Sequence, residues 1–319
     1  MKWHLSVRCH NLDMEYAERG LLAATRLGES MIRSRGNLTK AAVVTILAGV
    51  AFGAGEIRKE FRYNVGPKAT VSVTNQYGPV SVRAIAGNQV IVTAVLHSDK
   101  VEVDQNQTGN RVNMFSRLLP GADGDTGKVE YDLQVPSDAN VMLHSNTGPL
   151  SAEGLSGEIA LEGTTAPVEV RNVDDAHVHI KTLDGPVTLT NVQKGHVEIT
   201  SVSGDVNLNQ VNGMLVEVNS NSGKIHYDGN FGDNGQYRLM SNTGDIEAFA
   251  PDTASIDVSA RSIHGQVEND FRLEPEQTTP FLMRAESAFA GTLGKAASSV
   301  KLHSFSGKIH LKKRSTKNK

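Results

Sequence analysis

Between Val178 and Leu208 the chain reads VHIKTLDGPVTLTNVQKGHVEITSVSGDVNL, two copies of one pattern set nineteen residues apart. Each copy has a run that alternates apolar and polar residues, a four-residue turn ending in Gly (TLDG at Gly185, SVSG at Gly204), and a second alternating run. Alternation with period two puts successive side chains on opposite faces of a strand, so Val178, Ile180, Val187 and Leu189 fall on one face and His179 and Thr188 on the other.

The same turn recurs outward from this stretch: SNTG at Gly148, SNSG at Gly223, SNTG at Gly244, SIHG at Gly265 and SFSG at Gly307, with NQYG at Gly78 and a degenerate GTTA at Ala166. From Gly148 onward the steps fall at 18–21 residues, if the 42 between Gly265 and Gly307 counts as two coils. Seven and five residues before each of the nine turns, and two and four after it, the residue is apolar at every position but Asn269. Those are thirty-six positions (nine turns, four each), in a chain only 39% hydrophobic. One such unit cannot bury its apolar face alone, but a stack of units can.

The pattern therefore predicts an all-β protein, a parallel β-solenoid of roughly 18–21-residue coils over 136–311, each coil a rung laid about 4.8 Å above the last. A β-sandwich, which also shows short alternating strands, is the competing architecture; the constant period favours the solenoid. Gly at the turn suits a positive φ, and the Ser, Thr or Asn three residues earlier can hydrogen-bond back to the backbone. Residues 54–135 hold strand-like runs of less regular spacing, such as QVIVTAVL and KVEYDLQVP, and are expected to form an irregular β-rich N-terminal cap or outer rungs. The segment 270–298 breaks the period, and 312–319 reads as a basic disordered tail.

The start of the chain carries a targeting signal. AAVVTILAGVAFGAG at 41–55 is uncharged and follows Arg33, Arg35 and Lys40. It is short for a bilayer span and matches a signal peptide over 31–53, cleaved after about Gly53, with translation starting at Met31 and 1–30 an upstream extension of the gene model. An uncleaved single-pass anchor through 41–55 is the alternative. Cleavage removes the lone Cys9, leaving a chain indifferent to redox state. From Ala54, 25 Lys+Arg face 31 Asp+Glu, a net charge of −6 that argues against nucleic acid as a partner.

These features resemble a family of bacterial exported proteins classed as "putative adhesins", a domain of unknown function. The resemblance covers about 60–312 and rests on ATVSVTNQYGPVSVRA (69–84), VEYDLQVP (129–136), the serial turns, and the closing AFAGTLGKAASSVKLHSFSGKIHLKK (288–313). It implies a β-solenoid outside the cytoplasmic membrane, in the periplasm, at the cell surface or beyond it, with some relatives linked to envelope stress. It supplies no catalytic or ligand residues.

The chemistry-bearing signals are few. Walker A, G-x-S-x-G, H-E-x-x-H and paired Cys patterns are missing from the sequence. Asp174–Asp175 and the loop GADGDTG (121–127) read as solvated turns more readily than as an acid pair or a calcium loop. The residues after the turns, Pro149, Pro167, Pro186, Asp205, Lys224, Asp245 and Gln266, suggest a ladder of compensating charge. Counting back from Gly185 and Gly204 brings His177, His179, His196 and Glu198 onto one outward face, a candidate Zn²⁺ or Cu²⁺ site. No catalytic residue and no cofactor is expected. The expected role is non-catalytic: an adhesin-like binding or envelope-sensing scaffold for an extracytoplasmic protein or glycan, with a secreted β-helix polysaccharide lyase or hydrolase as the alternative.

Overall fold

The computed structural model describes residues 47–48, 56–274 and 287–314. The 31–53 segment, apart from 47–48, and residues 315–319 of the tail lie outside the described residues. Among the described residues every regular element is a strand, and no helix is long and apolar enough to cross a membrane.

The strands form one continuous sheet that folds back into two mainly parallel sheets facing each other across an apolar interior. In each unit the strand before the turn lies in the first sheet and the strand after it in the second. His177–Thr182 pairs in parallel with Glu158–Gly163 on one side and with 196–201 on the other. Val187–Ser201 is a single bent strand: 187–192 lies in the second sheet between Val168–Asp174 and 206–211, and 196–201 has crossed to the first. The bend is made by left-handed residues, Asn191 (φ 56°) and Lys194 (φ 54°), matched one unit earlier by Asn172 and Asp175 (φ 54° each). Asn tolerates this conformation best, and the Asn191 amide donates to Asn172 Oδ1 at 3.0 Å, so the corner side chains form a ladder of their own.

Of the thirty-six apolar-face positions all are buried except Val267 and Asn269, which are half-buried. Both lie on Val267–Asn269, a short strand that pairs only with Ile309–Lys313. Burying one Val, Ile or Leu contributes about 1.5–3 kcal/mol, so the column is the main source of stability. The longer step between Gly223 and Gly244 admits an aromatic group, in which Phe231 stacks on Tyr227 (centroids 4.4 Å) and meets Tyr237 edge-on (5.1 Å). The Tyr227 hydroxyl donates to Val211 O at 3.0 Å and accepts from the Phe231 amide at 3.1 Å, which satisfies it inside the column.

Two expectations are corrected. Of the turn glycines that close the SNTG-type units, only Gly78 has a positive φ (104°). The others are required by close approach: a Cβ on Gly204 would stand 2.0 Å from Gly185 O, and one on Gly223 2.1 Å from Gly204 O. Each glycine is pressed against the turn carbonyl of the neighbouring rung. The Ser or Thr three residues earlier is buried and bonds the turn, as Thr182 Oγ1 accepts from the Gly185 amide at 3.0 Å and Ser201 Oγ donates to Gly204 O at 2.8 Å.

The stack is also not serial. Gln236–Ser241 pairs with Ser298–Ser304, which pairs in turn with Ile256–Ser262. The unit at 298–313 is thus inserted between two units that precede it in sequence. At the other end Thr70–Asn75 lies between Arg111–Leu118 and Asn140–Ser145, so the first regular unit is also flanked on both sides by later chain. Antiparallel strands finish both ends of the column. Val101–Thr108 covers Arg111–Leu118, Gln89–Leu96 joins Ile57–Asn64 to Val129–Pro136, and Ala288–Leu293 covers Ile256–Ser262.

Candidate functional site

With the interior filled by aliphatic and aromatic side chains, the charged side chains described below stand on the outward faces. On the first sheet these side chains stand in columns fixed by the register. One column runs Glu158, His177, His196, and the next runs Ala160, His179, Glu198, Glu217, Arg238. A third runs His144, Glu162, Lys181.

The four residues singled out in the sequence are brought together as two cross-strand pairs. His177 and His196 are in register, their rings 4.7 Å apart and tilted by 31°. His179 Nδ1 lies 3.2 Å from Glu198 Oε2. Among the described residues, no three or more His, Cys, Asp or Glu side chains are gathered into a ready-made metal cage.

The structure adds residues that the sequence reading passed over. Ala160 is the one small side chain beside His179, and it opens a shallow depression of about 230 Å³ lined by Glu158, Glu162, His179 and Lys181. His144 Nδ1 lies 3.7 Å from Glu162 Oε2, and Lys181 Nζ lies 3.9 Å from Glu162 Oε1. Glu162 beside it raises the His144 pKa above the ordinary imidazole value, and His144 in turn lowers that of Glu162. The missed signal was positional: His144, Glu162 and Lys181 all stand four residues before a turn.

On the second sheet, charge tethers the inserted unit. Lys312 Nζ donates to Glu247 Oε1 at 2.7 Å, and His310 lies 2.8 Å from Asp270 and 3.2 Å from Glu268. Arg314 donates to Asp228 Oδ1 at 2.7 Å and to Gly229 O at 2.8 Å. Lys312 holds the Glu247 carboxyl below the usual carboxylate range, and His310 does so for Asp270. These contacts pin a strand and leave no free acid pair.

The residues following the turns gain a member from the insertion. In spatial order they run Asp205, Lys224, Asp245, Lys308, Gln266. The carboxylates act on backbone, Asp205 Oδ1 accepting from the Lys224 amide and Asp245 Oδ1 from the Lys308 amide, both at 2.8 Å. Pro149, Pro167 and Pro186, which have no amide to satisfy, occupy the same position on earlier rungs and line a second shallow groove of about 210 Å³. Asp174 pairs at 3.4 Å with exposed Lys194. Asp123 Oδ1 accepts from the Asp125 and Thr126 amides and the Thr126 hydroxyl, so this oxygen is occupied in closing its own loop.

A family model described as Toastrack DUF4097 matches residues 69–312. Solved structures are also similar. A "putative adhesin" from Bacteroides fragilis is 11% identical, with 83% of this chain and all of that chain covered at a TM-score of 0.43. Another from Parabacteroides merdae is 9% identical (83% and 100% covered, TM-score 0.39). A "putative cell adhesion protein" from Clostridium sporogenes is 13% identical (81% and 100%, TM-score 0.25). No curated protein matches the chain.

Proposed function

The chain belongs to the Toastrack DUF4097 family, and on that premise we propose that it is an exported, non-catalytic protein of the cell envelope or surface that binds an extracytoplasmic protein or glycan along the first sheet. The observation that carries this reading is the outward face itself. Side chains of mixed charge stand in register across successive rungs at about 4.8 Å, giving a rigid strip roughly 40 Å long. Such a strip suits an extended partner lying across the rungs. Acid/base hydrolysis of a polysaccharide needs two carboxyls about 5–10 Å apart within a walled cleft. The grooves here are shallow, and Glu162, Glu217 and Glu247 pair with Lys181, Arg238 and Lys312, while Asp205 and Asp245 accept from turn amides. On the same reading the coils are of 18–21 residues, the antiparallel strands Ile57–Asn64, Gln89–Leu96 and Val101–Thr108 are the N-terminal cap, and the apolar 41–55 run directs export or holds the chain to the membrane.

The test is capture from envelope fractions of the native host, with the full chain as bait, beside Arg238→Glu and Lys301→Glu, Lys301 standing in register with Arg238 on the first sheet. A partner retained by the native chain and lost on charge reversal supports the proposal. Assays for reducing sugar and unsaturated product on acidic polysaccharides run in parallel. Turnover that one carboxylate substitution abolishes would replace it with the lyase or hydrolase reading.

A further inference from the structure

We propose that His177, His179 and His196 form a surface site for a first-row transition ion of the Zn²⁺ or Cu²⁺ type, with Glu198 as the positioning residue for His179. The backbone settles which side chains can meet. His177 and His196 face each other on adjacent parallel strands, and His179 and Glu198 do so two residues further on. All four point outward because Val178, Ile180, Val197 and Ile199 between them are buried.

Among the described residues, the only two imidazoles in ring contact with each other are His177 and His196, at 4.7 Å. Neither side chain has a hydrogen-bond or ion-pair partner within the described chain. His97, His144, His226 and His310 differ in that each lies beside a carboxylate. His179 supplies the third nitrogen. With Nδ1 against Glu198 at 3.2 Å, its Nε2 faces away and is free to ligate, the arrangement in which a carboxylate orients a metal-bound imidazole. Glu158, in register with His177 on the neighbouring rung, adds negative charge on the other side.

Imidazole donors with carboxylate support suit zinc and copper over magnesium and calcium, which take oxygen ligands. The other dense cluster, His310 with Glu268 and Asp270, is a poorer host because the Lys308 ammonium group sits on Glu268 at 2.6 Å and repels a cation. The His177 site is not preset. Capture takes rotation of exposed side chains on a fixed sheet, so the affinity expected is micromolar, weaker than that of a buried structural zinc.

The experiment is calorimetric titration of the tag-free full chain with Zn²⁺ and with Cu²⁺ near neutral pH, repeated on His177→Ala, His196→Ala and Glu198→Gln. One ion per chain is expected, weakened about tenfold or more by either alanine and by a smaller factor in Glu198→Gln. Cu²⁺ should also broaden the imidazole proton resonances of His177 and His196 before those of other histidines. All three positions are on the surface, and circular dichroism confirms that the variants fold. No binding by the native chain, or binding indifferent to His177 and His196, overturns the assignment.

Discussion

Gly307 is packed against the turn carbonyl of Gly244, so closely that a Cβ on Gly307 would stand 2.0 Å from that oxygen. Gly265, which follows Gly244 directly in the series of turns, packs against Gly307 instead, at 2.2 Å by the same measure. The unit at 298–313 is therefore an interior layer of the column although it follows both of its neighbours in sequence. Amide exchange in 298–304 should accordingly be as slow as in 215–220, both segments being enclosed by strands on two sides. Hydrogen-exchange mass spectrometry reads this directly. Rapid exchange of 298–304 beside a protected 256–262 would contradict the insertion.

The register of the interior is tested by a neighbouring pair of substitutions. Val206 is fully buried and Asn207 points outward. Val206→Asp places an unpaired carboxylate in the column and should cost about 3–5 kcal/mol, whereas Asn207→Asp should cost less than about 0.5 kcal/mol. Urea melts of both variants measure the difference, and equal losses are incompatible with the register.

The two reasons for glycine can be separated in the same way. Gly204→Ala drives a Cβ into the Gly185 carbonyl, backbone that cannot step aside, and should cost about 3 kcal/mol or more. Gly87 has φ 109° and open space around it, so Gly87→Ala should cost only the conformational strain, about 1–2 kcal/mol. A milder effect at Gly204 than at Gly87 would show that the stack can open locally.

The His144–Glu162 contact carries a pH signature. His144 is raised from 6.5, so its contribution is complete below that value and is lost as pH rises through the folded pKa. Glu162 is lowered from 4.5, so its contribution is complete above that value and is lost as pH falls through its folded pKa. The pair is therefore strongest between the two ordinary values and, being half exposed, is worth less than about 1 kcal/mol. Titrating the His144 ring by NMR in Glu162→Gln should show its pKa falling back toward 6.5. An unchanged midpoint would mean that Glu162 is not the cause.

The column was legible because it depends on period alone. Val178 and Val197 lie nineteen residues apart and must be equivalent if the units stack, and the structure pairs them. The order of rungs was not legible. Ile246 would accept either Val267 or Ile309 as its neighbour, since both present a β-branched side chain at the same turn offset, and only the structure shows Ile309 there. The role of the turn glycines was misread for a related reason: Gly204 answers a clash with Gly185 in the adjoining rung, which no local conformational preference reports. His177 and His196 stand side by side because they follow the period. The depression at Ala160 was missed because a small residue in an outward column leaves no mark in the alternation.

The insertion at 298–313 also sets the order of events when the chain is made. A polypeptide delivered from its N-terminus can lay down 140–250 as it emerges, but 256–269 has no permanent neighbour until residues 288–313 arrive. Until then the slot between 241 and 256 presents two open parallel edges, each lined with the Val, Ile and Leu positions that the other would accept. Closing that slot requires contacts between residues more than sixty positions apart, such as Tyr237 with Val300, and long-range pairing of this kind slows folding. Residues 298–313 are thus the bolt of the whole column, and a molecule cut short before Ser298 loses an interior layer.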